Sequence, residues 1–160
     1  MKPYTLGVYE KALPGSLSWR EKMLAAKKAG YDFIEISIDE TDEKLARLDM
    51  TREERLELVS LMYETGIPIR TMCLSGHRRY PIGSSDKAVR ERGMEIMEKA
   101  LILADDLGIR VIQLAGYDVY YEEGSEQTRA WFLENLRKAA DMAAAKGIRM
   151  GSETMETELM

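Results

Sequence analysis

One cysteine and one histidine occur in 160 residues, and each scarcity closes off a class of protein. Cys73 has no partner for an intramolecular disulfide, which excludes a disulfide-stapled scaffold. His77 by itself cannot build a multi-histidine metal centre within this chain. Apolar runs are only a few residues long, far below the ~20 needed to span a bilayer. No charged-then-apolar leader opens the sequence, so a cytoplasmic protein is expected. Positive charge is also in short supply: 23 Lys and Arg stand against 28 Asp and Glu, for a net charge of −5. Nucleic acid and anionic membranes need a concentrated basic surface and are not expected partners. The one small basic cluster is His77-Arg78-Arg79. No G-x-S-x-G surrounds Ser75 or Cys73, and neither a P-loop nor G-x-G-x-x-G occurs, so nucleophilic hydrolysis and nucleotide binding lack their usual marks. What is present in quantity is apolar residue, 45% of the chain, enough to bury the core of one domain.

That apolar content is organised as a repeat. In "AKKAGYDFIEIS", "MYETGIPIRTMCLS", "ADDLGIRVIQLAG" and "AAAKGIRMGSE" a helix-like stretch ends at a glycine and a short apolar strand follows. Gly30, Gly66, Gly108 and Gly147 stand where a helix terminus needs positive φ, at spacings of 36, 42 and 39 residues. Such a period fits one helix, one strand and their loops, so the expected unit is βα repeated in parallel. A further strand, "YTLGVYE" at 4–10, opens the series. Ser18-Trp19-Arg20-Glu21 and Thr51-Arg52-Glu53-Glu54 have the form of capping boxes. They start helices expected over about 19–29 and 52–65. Helices three and four are expected over roughly 86–107 and 125–146. The third has a stripe of Val89, Gly93, Ile96, Met97, Ala100, Leu101, Leu103 and Ala104, the fourth one of Trp131, Phe132, Leu136, Ala139, Ala140 and Ala143. "RVIQLAG" and "DFIEIS" read as apolar on both faces apart from Gln113 and Glu35, as helix-covered parallel strands do. The total is five strands and four helices, with no linker between them.

Ligands gather at the C-terminal ends of parallel strands in α/β folds. There the sequence places Tyr9, Glu10 and Lys11 after the first strand and Ser37, Asp39 and Glu40 after the second. Ser75, His77, Arg78 and Arg79 follow the third, Gln113, Tyr117 and Asp118 the fourth, and Glu153 and Glu156 the fifth. Any one of these polar residues is at least as readily explained as ordinary loop polarity, and a lone loop histidine such as His77 is usually solvated. Glu153 differs, because a carboxylate closing a parallel strand sits where desolvation or a metal decides its charge state.

Four stretches, "LGVYEKALP" at 6–14, "EISIDETDEKLARLDM" at 35–50, "MCLSGHRRYPIGS" at 72–84 and "GIRVIQLAGYDVYY" at 108–121, resemble the L-ribulose-5-phosphate and L-xylulose-5-phosphate 3-epimerases of the xylose-isomerase-like barrel superfamily. These proteins are also called hexulose-6-phosphate isomerases. The resemblance implies a (β/α)8 barrel of nearly twice this length, with residues 1–160 forming its N-terminal part and ending after strand five. It also implies a divalent metal held by a Glu, an Asp, a His and a second Glu. The first of these matches Glu153, which would serve as both metal ligand and catalytic carboxylate, and the others would lie beyond Met160. Epimerisation at C3 of a ketopentose phosphate would proceed through an enediolate, with two opposed glutamates as base and acid. His77, Gln113 and Tyr117 are the expected substrate-facing groups, and Arg78 or Arg79 the expected phosphate contact. The chain alone is expected to be inactive and to self-associate through unpaired strand edges and an unclosed inner face. Two rival readings are a half-barrel assembly module without catalysis and a stand-alone doubly wound phosphate-binding domain.

Overall fold

The computed structural model describes residues 3–153 and Met155. Its strands are β1 (Gly7–Tyr9), β2 (Phe33–Ile38), β3 (Ile69–Leu74), β4 (Val111–Ala115) and β5 (Arg149–Glu153). The helices are α1 (Trp19–Lys28), α2 (Asp42–Leu45), α3 (Arg52–Thr65), α4 (Lys87–Leu107) and α5 (Glu126–Ala145), with short 3-10 turns at Glu10–Ala12, Ala46–Asp49 and Gly76–Arg78. The four expected helices are α1, α3, α4 and α5. The additional α2 is a single turn started by the Thr41 side chain, which accepts from Lys44 N. Glu156 lies outside the described residues.

Local signals set the helix bounds. Ser18 with Glu21 and Thr51 with Glu54 form reciprocal capping boxes. Gly30, Gly66, Gly108 and Gly147 all have positive φ, between 65° and 85°. α4 buries the expected stripe from Gly93 to Ala104 and adds Leu107, while Val89 in its first turn is half-buried. α5 buries less than its sequence suggests: Phe132, Ala139 and Ala143 are covered, whereas Ala140 is exposed. The helix outermost in the series packs against a helix on one side only, so its apolar stripe is narrower.

All strand pairs are parallel and the order is β1-β2-β3-β4-β5. A doubly wound sheet reverses its order part-way, so the sequential order removes that rival architecture. Right-handed crossovers between successive neighbours put the helices on one face. The core sits there: Ile34, Ile36, Ile38, Met72, Leu74, Ile112 and Leu114 pack with Met23, Ala26, Leu58, Met97, Leu101 and Ala139. Two-residue alternation turns Glu35, Ser37, Thr71, Cys73 and Gln113 to the opposite, inner face. Thr71 Oγ1 donates to Glu35 Oε2 at 2.7 Å on that face, and the Tyr9 and Ser37 hydroxyls meet at 2.9 Å. The inner face is therefore largely polar, which corrects the expectation of strands apolar on both sides. Five parallel strands in sequential order, with helices on one face, form part of a barrel whose edge strands β1 and β5 each pair on one side. No helix among the described residues is long and apolar enough to cross a membrane.

Candidate functional site

The register fixes which strand-end residues meet. Ser37, Cys73, Gln113 and Gly151 form one row across the sheet, and Ala115 pairs with Glu153 two residues nearer the strand ends. Gln113 on β4 can therefore reach diagonally to the end of β5, and its Nε2 donates to Glu153 Oε2 at 2.7 Å. Both line a cleft of about 170 Å³ together with Tyr9, Lys11, Cys73, Ser75 and Arg78. Among the described residues Glu153 is the only carboxylate in that lining. Hollows of about 390–490 Å³ occur on the helix layer, for example beside Trp19, Glu54 and Leu58. They lie away from the row of polar groups that the sheet register assembles, and the smaller cleft is the chemically organised one.

Charge around the cleft is arranged by its neighbours. Lys11 Nζ lies 2.5 Å from Asp39 Oδ2. Burial works against the Asp39 charge, but Lys11 and the Thr41 backbone and hydroxyl outweigh it and hold the carboxyl below its usual range. Burial pushes the Tyr9 hydroxyl up to about 12 against the opposing bond from Ser37, and raises the Cys73 thiol as well. These two groups stay neutral near pH 7, so neither is a nucleophile in waiting.

Just outside the cleft Glu10 is 1% exposed and accepts from Lys22 Nζ at 3.0 Å, Lys44 Nζ at 3.2 Å, Arg47 Nη2 at 3.0 Å and Ser37 N at 2.9 Å. Burial alone would raise its carboxyl, yet Arg47, the Ser37 amide and Lys22 together bring it down to about 2. Arg47 also donates to the Ser37 carbonyl, so the cluster ties the end of β1 to the end of β2.

The residues singled out from sequence separate into two groups. Glu153, Gln113 and Arg78 share the cleft, and Tyr117, 3% exposed, stands beside Arg78. His77 and Arg79 do not line it. His77 is buried, not solvated as a lone loop histidine would be, and its Nε2 lies 3.0 Å from the Gly93 carbonyl of α4. Burial, only partly offset by that bond, lowers the imidazole to about 4, so it is neutral near pH 7. A Cβ on Gly93 would stand 2.4 Å from the Tyr80 carbonyl, so this loop and α4 approach closely at a glycine. Arg79 reaches outward to Asp42 at 2.7 Å. Tyr9, Lys11, Cys73 and Ser75 are the other polar residues of the lining, beside the apolar Leu74, Leu114, Ala115 and Met155; the strand-end rule placed Tyr9, Lys11 and Ser75 on this rim, and the alternation of β3 could have found Cys73.

The donor set decides how a metal would fit. Glu153 is a hard oxygen donor suited to a divalent cation. Among the described residues, however, no three His, Cys, Asp or Glu side chains come together as a cation site. The described residues therefore supply one ligand and not a full coordination set.

A family model described as xylose isomerase-like TIM barrel matches residues 23–160. The putative L-ribulose-5-phosphate 3-epimerase SgbU of Escherichia coli (strain K12) is 56% identical over 160 residues, covering 100% of this chain and 56% of that protein. The L-ribulose-5-phosphate 3-epimerase UlaE of Salmonella heidelberg (strain SL476) is 52% identical over 159 residues, covering 99% of this chain and 56% of that protein. The chain thus spans little more than half the length of these curated relatives. Among solved structures, a D-psicose 3-epimerase in the presence of D-fructose superposes with a TM-score of 0.74 at 21% identity, over 92% of this chain and 51% of that one, a likeness of fold. The sequential parallel sheet, the one-sided helix layer and the match over residues 23–160 agree, and the chain belongs to the xylose isomerase-like TIM barrel family.

Proposed function

We propose that residues 1–160 supply the first five strands of a (β/α)8 barrel that epimerises C3 of a ketopentose 5-phosphate, L-ribulose 5-phosphate, with Glu153 as one of its proton-transferring carboxylates. The observation that supports this reading is the Glu153 carboxylate at the end of β5, oriented by Gln113 in a polar strand-end cleft. The chain that carries it is 52–56% identical to proteins named for that reaction. The C3 proton lies next to the C2 carbonyl, and removing it leaves an enediolate; returning a proton to the opposite face inverts the centre. One group cannot serve both faces. Gln113 occupies Glu153 Oε2 and leaves Oε1 to take or return the proton on one face. No second carboxylate among the described residues lines the cleft, so the opposed group would come from outside them. Lys11 and Arg78 bring positive charge to where enediolate oxygen develops. A divalent cation bound there would polarise the ketose oxygens as a Lewis acid; with one donor present, no step is routed through it.

Groups that act as a unit lose nearly everything when half is removed, so the 160-residue chain by itself is expected to be inactive. Extended with the C-terminal part of one of its relatives, it should exchange the C3 proton of L-ribulose 5-phosphate with solvent deuterium. Glu153→Gln in that protein should slow exchange by orders of magnitude while leaving the fold intact. Appreciable exchange by the chain alone as a monomer would sink the proposal, as would an active extended protein indifferent to Glu153→Gln.

The two edge strands, each paired on one side, favour a second reading in which the chain also works as an assembly module. Because the inner face is polar, association is expected to run through strand edges more than through an apolar patch. Sedimentation at tens of micromolar should show species above 18.2 kDa; a single species of that mass at every concentration would remove this reading.

A further inference from the structure

His77 is the only histidine of the chain, yet it does not line the cleft. Its ring makes one hydrogen bond among the described residues, with Nε2 donating to the Gly93 carbonyl of α4 at 3.0 Å. The 3-10 turn that carries it, Gly76–Arg78, lies between two close neighbours. On one side a Cβ at Gly76 would stand 3.0 Å from Leu45 Cδ2 and 3.5 Å from the Asp39 carbonyl, and on the other a Cβ at Gly93 would stand 2.4 Å from the Tyr80 carbonyl. Glycine at both contacts permits this approach, and the histidine is buried by it. The near end of the turn is tethered to the sheet, because Ser75 N donates to the Ile38 carbonyl. The far end carries Arg78 onto the cleft.

The charged groups of the surrounding elements are engaged elsewhere. On α4, Lys87 pairs with Glu91, Arg90 donates to the Ser84 carbonyl and Arg92 pairs with Glu95. On α2 and the loop before it, Asp39 faces Lys11, Glu40 accepts from Tyr121, Asp42 faces Arg79, and Lys44 faces Glu10 and Glu43. Tyr80 carries Arg79 over its ring. Arg78 and Arg79 are cations next to the ring in sequence, and they would oppose a further positive charge.

We propose that His77 is an acid-sensitive latch: as a neutral imidazole it fastens the turn to α4 and keeps Arg78 on the cleft, and as an imidazolium it releases the turn, hinged at Ser75, and takes that wall of the cleft apart. A buried charge costs far more than a buried neutral ring, so a proton favours the released form. Burial, partly offset by the Gly93 bond, lowers the imidazole to about 4, whereas its ordinary value is 6.5. The latch is therefore at full strength above pH 6.5 and weakens as pH falls from 6.5 to about 4. Carboxylates elsewhere on the rim stay out of the upper part of that interval: Glu10 titrates at about 2, and Asp39 is held below its usual range.

The test uses the 160-residue chain and needs neither ligand nor turnover. A single histidine makes the Cε1 proton resonance unambiguous, and it should titrate below about pH 5. The amides of Arg78, Arg79 and Tyr80 donate to the Ser75 and Gly76 carbonyls within the turn. Their hydrogen-exchange protection, corrected for the intrinsic rate, reports release of the latch. Between pH 7.5 and 5 it should fall about tenfold or more, while the amides of β3 and β4 keep theirs. His77→Gln retains a donor for the Gly93 carbonyl and cannot take up charge, so turn protection in that variant should not depend on pH. A ring that titrates near 6.5, constant turn protection in the wild type, or a pH-dependent loss that persists in His77→Gln would each overturn the proposal. An equal loss across β3 and β4 would also overturn it, since the event would then be global unfolding.

Discussion

Around the ends of β1 and β2, the buried Glu10 carboxylate gathers Lys22, Lys44, Arg47 and the Ser37 amide. Across the rim, around β3, β4 and β5, the Arg78 Nε and the Tyr117 hydroxyl have no hydrogen-bond partner among the described residues, and the Gln113 amide holds Glu153 at an exposed edge. Both regions occupy the ligand-facing end of the same sheet and use the same kinds of side chain. What separates them is whether the polar groups are satisfied among the described residues. The first region joins strands, and its loss should appear as stability. The second has polar groups that the described residues leave unmatched, and its loss should appear as binding and chemistry.

The sharpest way to break that division is Glu10→Gln. It leaves three buried or half-buried cations facing a neutral amide, and removing one partner of a buried ion cluster costs roughly 3–5 kcal/mol. Urea unfolding that shows less than about 1 kcal/mol of loss would mean that the cluster is not what ties β1 to β2.

A smaller, graded effect follows from acid. The Glu10 carboxyl titrates at about 2 in the folded chain against an ordinary 4.5. Its contribution is therefore fully present above pH 4.5 and is lost as pH falls through the interval down to about 2. The difference in unfolding free energy between wild type and Glu10→Gln should be flat at neutral pH and shrink across that window. A difference independent of pH from 7 to 2 would assign the stability to packing instead of charge.

The smallest expected effect is at the other end of the rim. Glu153 is exposed, so Glu153→Gln should change unfolding free energy by no more than about 0.5 kcal/mol. Calorimetry of the chain with Mn²⁺ should likewise show only feeble binding, since one carboxylate cannot enforce a coordination geometry. A stoichiometric submicromolar site abolished by Glu153→Ala would show that this region too is complete within the chain.

The same contrast explains how far the sequence could be read. Capping boxes at Ser18 and Thr51 and the left-handed glycines were legible because each involves residues only a few positions apart. Glu153 and Gln113 were legible as strand-end residues from the βα period. Their contact was not, because it depends on the parallel register between β4 and β5. Ala140 was misjudged because helical spacing shows which side of α5 is apolar but not how much of that side a neighbour covers. The polar inner face was hidden for a related reason: alternation in β2 and β4 is visible only once it is known which parity faces the helices.

By itself, the sequence determined the elements and their repeat, since helix starts, helix ends and strand lengths follow from interactions within one turn or one pleat. Tertiary structure alone decided what each polar side chain is for. Glu10 meets Ser37, Lys44 and Arg47 across 27 to 37 residues of chain. Arg78 and Arg79 are identical and adjacent, yet one lines the cleft with donors to spare and the other pairs with Asp42 at the surface. The physical reason is that burial and satisfaction of hydrogen bonds are set by neighbours distant in sequence, and only the parallel stacking of the strands brings those neighbours together.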